Sequence, residues 1–311
     1  MTETTMNKIS AVKNSFNFGV EVEMAEITRK NAAKLAARFF GTDNYQFTHA
    51  QNRGMTWSAW DKQGREWKFS RDCSIQASSD DENCELITPI LEYSDVHILL
   101  EVLSELKDHG AVSDPDHGCG VHVHVSRKGG FEANEIRNLV NIMASHEQQI
   151  GRAIKIDERR TGEYCKTIDP EFLKLMLTRK PFTLEMIENI WYEAHGRGWT
   201  TDYYHPSRFH MLNLHSLFHG HGTVEFRLFQ FSDEKGIDIH EMEAYIQLCL
   251  GMCQLAHDVK HASAKPQQIQ NEKYALRCWL LRLGFIGEEF KNAREILLKN
   301  MNGNSAWRKA I

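Results

Sequence analysis

Three short segments of this chain alternate charged and aliphatic residues with a period of two, and that alternation constrains the fold more than any other feature of the sequence. In Gly19-Val20-Glu21-Val22-Glu23-Met24, Val121-His122-Val123-His124-Val125 and Thr223-Val224-Glu225-Phe226-Arg227-Leu228, the functional polar residues stand at i and i+2. Side chains two apart on a strand share a face. Each segment therefore predicts a strand with one apolar face for packing and one face of Glu, His or Arg. For a single strand the simplest reading of such a face is solvation. Three strands whose named positions hold only Glu, His and Arg, without the Lys, Thr, Ser and Gln of ordinary surfaces, point instead to a working face.

The rest of the chain supplies what would back such strands. Residues 16–25 alternate as a strand and 31–40 follow with helical spacing. Residues 55–61 and 66–70 read as a hairpin, joined by Lys62-Gln63-Gly64-Arg65. Further strands are predicted at 82–88, 120–126, 209–214 and 223–229, and helices at 96–109, 133–156 and 184–194. Beyond Phe231, residues 237–257 and 274–300 read as helices throughout. The hairpin and the clean alternation argue against a parallel sheet, whose strands are apolar on both faces. The fold class expected is α+β: a mainly antiparallel sheet with a polar face backed by helices, plus C-terminal helices. Residues 14–235 form the expected catalytic domain and 236–311 a helical appendage packed on it.

Bulk properties narrow the function. The formal net charge of -5 argues against a partner bound through a phosphate backbone. No tract is long and apolar enough to span a bilayer. Residues 1–15 lack the apolar centre of a secretory signal, so a cytoplasmic location is expected. Seven scattered cysteines, with no Cys-x-x-Cys pair, support neither a disulfide framework nor a zinc ribbon.

If the polar faces converge, Glu21, Glu23, Glu85 and Glu225 crowd together. Like charges at ~4 Å repel by about 4 kcal/mol at an effective dielectric near 20, so a cation is required. Oxygen-rich sites suit Mg²⁺ or Mn²⁺, and an added imidazole is compatible with Mn²⁺ or a mixed site. Arg227 stays charged and binds phosphate or carboxylate through its planar fork. Metal, carboxylates and arginine together suggest phosphoryl transfer, in which catalysis is mainly positioning and charge neutralisation.

The order of these motifs resembles a known family. Phe18-Gly19-Val20-Glu21-Val22-Glu23, then Asp72-Cys73-Ser74 and Glu85-Leu86-Ile87-Thr88-Pro89, then Gly118-Cys119-Gly120-Val121-His122-Val123-His124-Val125-Ser126, then Arg208 and Asn213, then Thr223-Val224-Glu225-Phe226-Arg227, is similar to the amidoligases. These are carboxylate–amine ligases of the glutamine synthetase and glutamate–cysteine ligase superfamily. The resemblance runs from about residue 16 to 231. It implies a catalytic domain like that of glutamine synthetase, without that enzyme's separate N-terminal barrel.

The resemblance also implies roles. Glu23 and Glu85 would hold one Mg²⁺ or Mn²⁺, with Asp72 in support, and Glu21, His122 and Glu225 a second. His124 and Ser126 would lie beside ATP, while Arg227 and Arg208 would hold phosphate and the developing charge. Arg160, Tyr164 and Asn213 would face the substrates, a small-molecule or peptide carboxylate and an amine. The implied reaction phosphorylates the carboxylate and lets the amine displace phosphate, giving an amide. The helical tail is a candidate interface for a homo-oligomer.

Other signals are discounted. His205, His210, His215, His219 and His221 fit no common zinc spacing, and Cys249 and Cys253 lie one turn apart in an apolar helix; both sets read as core or surface residues. For Trp191, Trp199, Tyr203 and Tyr204 packing is preferred over a substrate pocket. A metal-independent phosphoesterase with two His-x-Ser/Thr elements, His124/Ser126 and His221/Thr223, is the main rival, and it leaves the four glutamates unexplained. A cupin-type oxygenase lacks its expected glutamate after His124. A non-catalytic binding module is opposed by retention of every charged motif position.

Overall fold

The computed structural model describes residues 15–49, 55–196, 198, 200–202, 204–232, 236–266 and 270–306. The chain forms two compact units that interleave in sequence, one from residues 18–123 and 229–243, the other from 1–17, 124–228 and 244–311. Strands and helices are mixed, the strand pairing is mainly antiparallel, and the C-terminal part is helical. Among the described residues no helix is long and apolar enough to cross a membrane.

The first unit contains β1 (Phe16–Met24, from Phe18 on), α1 (Arg29–Phe40), β2 (Tyr45–His49), β3 (Met55–Trp60), β4 (Glu66–Ser70), β5 (Cys84–Ile87), α2 (Val96–Asp108) and the first three residues of β6 (Val121–Arg127). Its strands lie in the order β2-β3-β4-β5-β1-β6. Alternation along β1 works as the sequence predicts: Val20, Val22 and Met24 are buried, and each such side chain contributes roughly 1.5–3 kcal/mol by leaving water. α1 starts at Thr28, whose hydroxyl accepts from the Asn31 amide at 3.2 Å, and stops at Gly41, with φ of 67°. Its alanine-rich face packs on β3 and β4, opposite the side that carries the charges. Strand β2, unforeseen in the sequence, extends the hairpin edge.

The second unit contains the remainder of β6, then α3 (Ala133–Ile154), α4 (Glu158–Glu163), α5 (Pro170–Arg179), α6 (Leu184–His195), β7 (Leu212–Asn213), α7 (His215–His219), β8 (Val224–Phe229, to Leu228), most of α8 (Ile239–Asp258), α9 (Glu272–Arg282) and α10 (Lys291–Lys299). Here the strand order is β6-β8-β7. Helix α3 carries a capping box, the Glu132 amide donating to Glu135 at 2.7 Å. Asn138 of α3 reaches the end of α8, donating to the carbonyls of Ala256 and Val259.

Two sequence expectations need correction. The strand over 209–214 shrinks to Leu212–Asn213, because 206–208 form a 3₁₀ turn and His210 only bridges Lys166. The single helix over 274–300 is two, α9 and α10. Gly284 and Gly287 take φ of 93° and 89°, a conformation that cannot continue a right-handed helix. The domain boundary expected at 235/236 falls at the edge of residues 233–235, which lie outside the described set.

Candidate active site

In the first unit, the register sets the chemistry. Glu23 of β1 stands directly opposite Glu85 of β5, and Ser70 of β4 is Glu85's partner on the other side. Like charges facing one another across strands are unfavourable, yet Glu23 and Glu85 are buried, at 5% and 8% exposure. The bland reading of a solvated polar face therefore fails for β1 and β5. His122 of β6 is buried too, and its Nδ1 lies 3.0 Å from Glu21 Oε2 and its Nε2 3.8 Å from Glu23 Oε1.

Asp72 joins these residues from the loop after β4, and the loop is held by a chain of buried contacts. Arg29, at 3% exposure on α1, donates to the carbonyls of Asp80 and Asn83 at 2.7 and 2.6 Å. Asn83 in turn accepts from the Asp72 amide at 2.9 Å and donates to the Asp72 and Ile75 carbonyls. The Ser74 amide and hydroxyl then fix Asp72 Oδ1 at 2.7 and 2.6 Å. The Gly120 amide does the same for Glu23 Oε2 at 2.6 Å.

The result is two overlapping groups of possible metal ligands, Glu21–Glu85–His122 and Glu23–Asp72–Glu85, each with its ligand atoms within 4.8 Å of one another. Glu85 belongs to both. Its carboxyl is pushed well above the ordinary range, first by burial and then by Glu21, Asp72 and Glu23. A buried carboxylate cluster with one imidazole suits a hard divalent cation, which would relieve that repulsion.

In the second unit, Glu225 and Arg227 of β8 are both buried and form an ion pair. Asn213 of β7, the register partner of Glu225, donates to its Oε2 at 2.6 Å and accepts from the His215 amide at 2.8 Å. His124 Nε2 lies 3.8 Å from Glu225 Oε1, while its Nδ1 is 2.9 Å from the Thr223 hydroxyl, itself 3.0 Å from that of Ser216. Arg160 of α4 is 7% exposed and donates to the Arg227 carbonyl at 3.0 Å. Arg208 is half-buried with its guanidinium over Tyr204 and Phe209, and Tyr164 meets the edge of Phe209. Ser126 is half-buried on β6.

Residues 14–253 match the family model described as "Putative amidoligase enzyme". The chain belongs to that family. No curated protein matches it. Among solved structures, a bifunctional glutathione synthetase from Pasteurella multocida matches with 11% identity and a TM-score of 0.47, over 95% of this chain and 49% of that one. The chain thus spans about half the length of that structure, and a likeness at this score says nothing of fold or activity. The matched residues of this amidoligase-family chain include every side chain of both clusters, and they end before α9 and α10.

Sequence reading named Glu21, Glu23, Asp72, Glu85 and His122, which meet in one unit, and His124, Asn213, Glu225, Arg227 and Arg160, which neighbour one another in the other. It missed Ser70, which donates to Glu85 at 3.3 Å, Asn83, and Ser216. Their only signal is position beside a named residue in a paired strand or turn. Of the histidine patch, His205, His210 and His215 are buried among aromatic rings, with the Tyr192 hydroxyl 2.6 Å from His215 Nδ1. None of the five belongs to a metal-capable group among the described residues. Cys249, Cys253 and Trp191 are buried, Tyr204 is exposed, and Trp199 and Tyr203 lie outside the described residues.

Proposed function

We propose that this amidoligase-family chain is an ATP- and divalent-cation-dependent carboxylate–amine ligase with a catalytic domain, residues 14–235, like that of glutamine synthetase. The observation that carries the reading is the pair of carboxylate groups sharing Glu85. Two cations fit them, one on Glu23, Asp72 and Glu85, the other on Glu21 and His122. Bound there, Mg²⁺ or Mn²⁺ would supply charge neutralisation for the phosphates of ATP.

The chain's own residues do the rest. Arg227 offers its guanidinium to the transferred phosphoryl group, and Glu225 with Asn213 keeps that fork oriented. Arg208 adds charge, and His124 and Ser126 contact the nucleotide. Arg160 donates to the Arg227 carbonyl at 3.0 Å, and Asp157 and Cys165 interact with it as well. Its planar fork suits paired oxygens, and on the strength of the family resemblance Arg160, with Tyr164, takes a substrate carboxylate or phosphoryl oxygen. The substrate carboxylate attacks the γ-phosphate of ATP, giving an acyl phosphate and ADP; the amine then displaces phosphate and loses a proton.

The test is thermal unfolding with and without Mg²⁺–ATP, followed by ADP release with a panel of amino acids, peptides and polyamines. Mg²⁺–ATP raises the melting temperature of the wild type by linkage, and Glu21→Gln abolishes the rise. Arg227→Ala retains Mn²⁺ binding and loses ADP release. A nucleotide-blind wild type refutes the proposal. One observation favours the phosphoesterase reading: His124 and His221 rings lie 6.1 Å apart, with Thr223 on His124. Hydrolysis of a cyclic phosphodiester in EDTA would establish that reading instead.

A further inference from the structure

The C-terminal helices hold a cleft of about 490 Å³ that lies wholly beyond the family-matched residues. Helix α9 contributes Lys273 and Arg277, one turn apart, and α10 contributes Lys291, Arg294 and Lys299. Two carboxylates, Glu288 and Glu295, complete the charged lining. Five cations thus face two anions, and their depths differ: Lys273, Arg277 and Arg294 are half-buried, whereas Glu288 and Glu295 are exposed at the rim.

Lys273, Arg277, Lys291, Glu288 and Glu295 make no ion pair among the described residues, nor does Arg294, which donates only to the carbonyls of Phe285 and Gly287. Unneutralised cations clustered in a concave site repel one another until an anion enters. Among the described residues, Leu298 is the sole large apolar residue of the lining and none is aromatic, so none of them favours a nucleobase. Ser305 adds a hydroxyl. We infer that the cleft between α9 and α10 binds a small, multiply charged oxyanion, a polyphosphate or a polycarboxylate, through Arg277, Lys273, Lys291 and Arg294. Guanidinium forks suit the paired oxygens of either class.

The experiment is calorimetric titration of the full chain with inorganic pyrophosphate and, separately, citrate, in EDTA at low ionic strength. EDTA keeps divalent cations from recruiting the anion to the carboxylate groups of the first unit. The wild type is expected to bind at least one of the two with unit stoichiometry, and the two arms decide between phosphate and carboxylate. Arg277→Gln weakens binding at least tenfold, and so does the double variant Lys273→Gln/Lys291→Gln. Glu85→Gln leaves it unchanged. Arg294 is spared because it also holds two backbone carbonyls. No saturable binding, affinity unaltered in both cleft variants, or loss in Glu85→Gln overturns the proposal.

Discussion

Replacing Glu85 by glutamine tests the carboxylate groups most directly, because Glu85 is the residue common to both. With ligand atoms within 4.8 Å, each ionised pair repels by about 3.5 kcal/mol at an effective dielectric near 20. Burial and these neighbours push the Glu85 carboxyl well above the ordinary range, so without metal a proton supplies the neutralisation. Glutamine then replaces one neutral group by another of the same shape, and metal-free stability changes by less than about 1 kcal/mol. Metal separates the two proteins. At a hundredfold excess over Kd, a ligand of the native state adds about 2.7 kcal/mol, roughly 4 °C for a chain of this size. Glu85→Gln removes a ligand from both groups and should lose most of that rise. The assay is differential scanning calorimetry of EDTA-treated protein titrated with Mn²⁺ and Mg²⁺. An equal rise in variant and wild type would refute the reasoning, as would a metal-free variant destabilised by several kcal/mol.

Two further outcomes follow from geometry and burial. Gly118 has φ of 73°, and a Cβ there would sit 2.8 Å from the Ser74 carbonyl oxygen; Gly118→Ala should cost about 1–3 kcal/mol and weaken Mn²⁺ binding, because Ser74 fixes Asp72, and denaturant unfolding with metal titration checks both. His195 and His215 are pushed down to about 4, chiefly by burial. The unfolded chain protonates them below about pH 6.5 and the native state only near 4, so stability is full above 6.5 and falls toward pH 4, by up to about 3 kcal/mol each. Glu147, pushed up to about 7 by burial, works in the opposite sense as pH rises from about 4.5 to 7 and offsets one of them. Urea unfolding at pH 7.5 and 5 should show a net acid loss that His195→Asn flattens; an unchanged slope would exclude these groups as its source.

Local pattern alone determined which segments are strands, which face of each is apolar, and which residues carry charge, since a period of two or of 3.6 is written in neighbouring side chains. Glu21, Glu23, His122, His124, Glu225 and Arg227 were legible for that reason, and so was the order of motifs shared with the amidoligases. Register was not legible. That Glu23 faces Glu85, or Asn213 faces Glu225, depends on pairings between distant segments, and a slip of one residue would turn each side chain to the other face. Burial was equally hidden: a glutamate on a polar face reads the same in water as it does at 5% exposure, until helices and loops close over it. Asp72 enters its group only because Arg29 and Asn83 hold a loop in place, and the two glycines that divide α9 from α10 act through backbone angles rather than through any apolar period. Sequence fixes what each short segment can offer; long-range packing decides which of those offers meet.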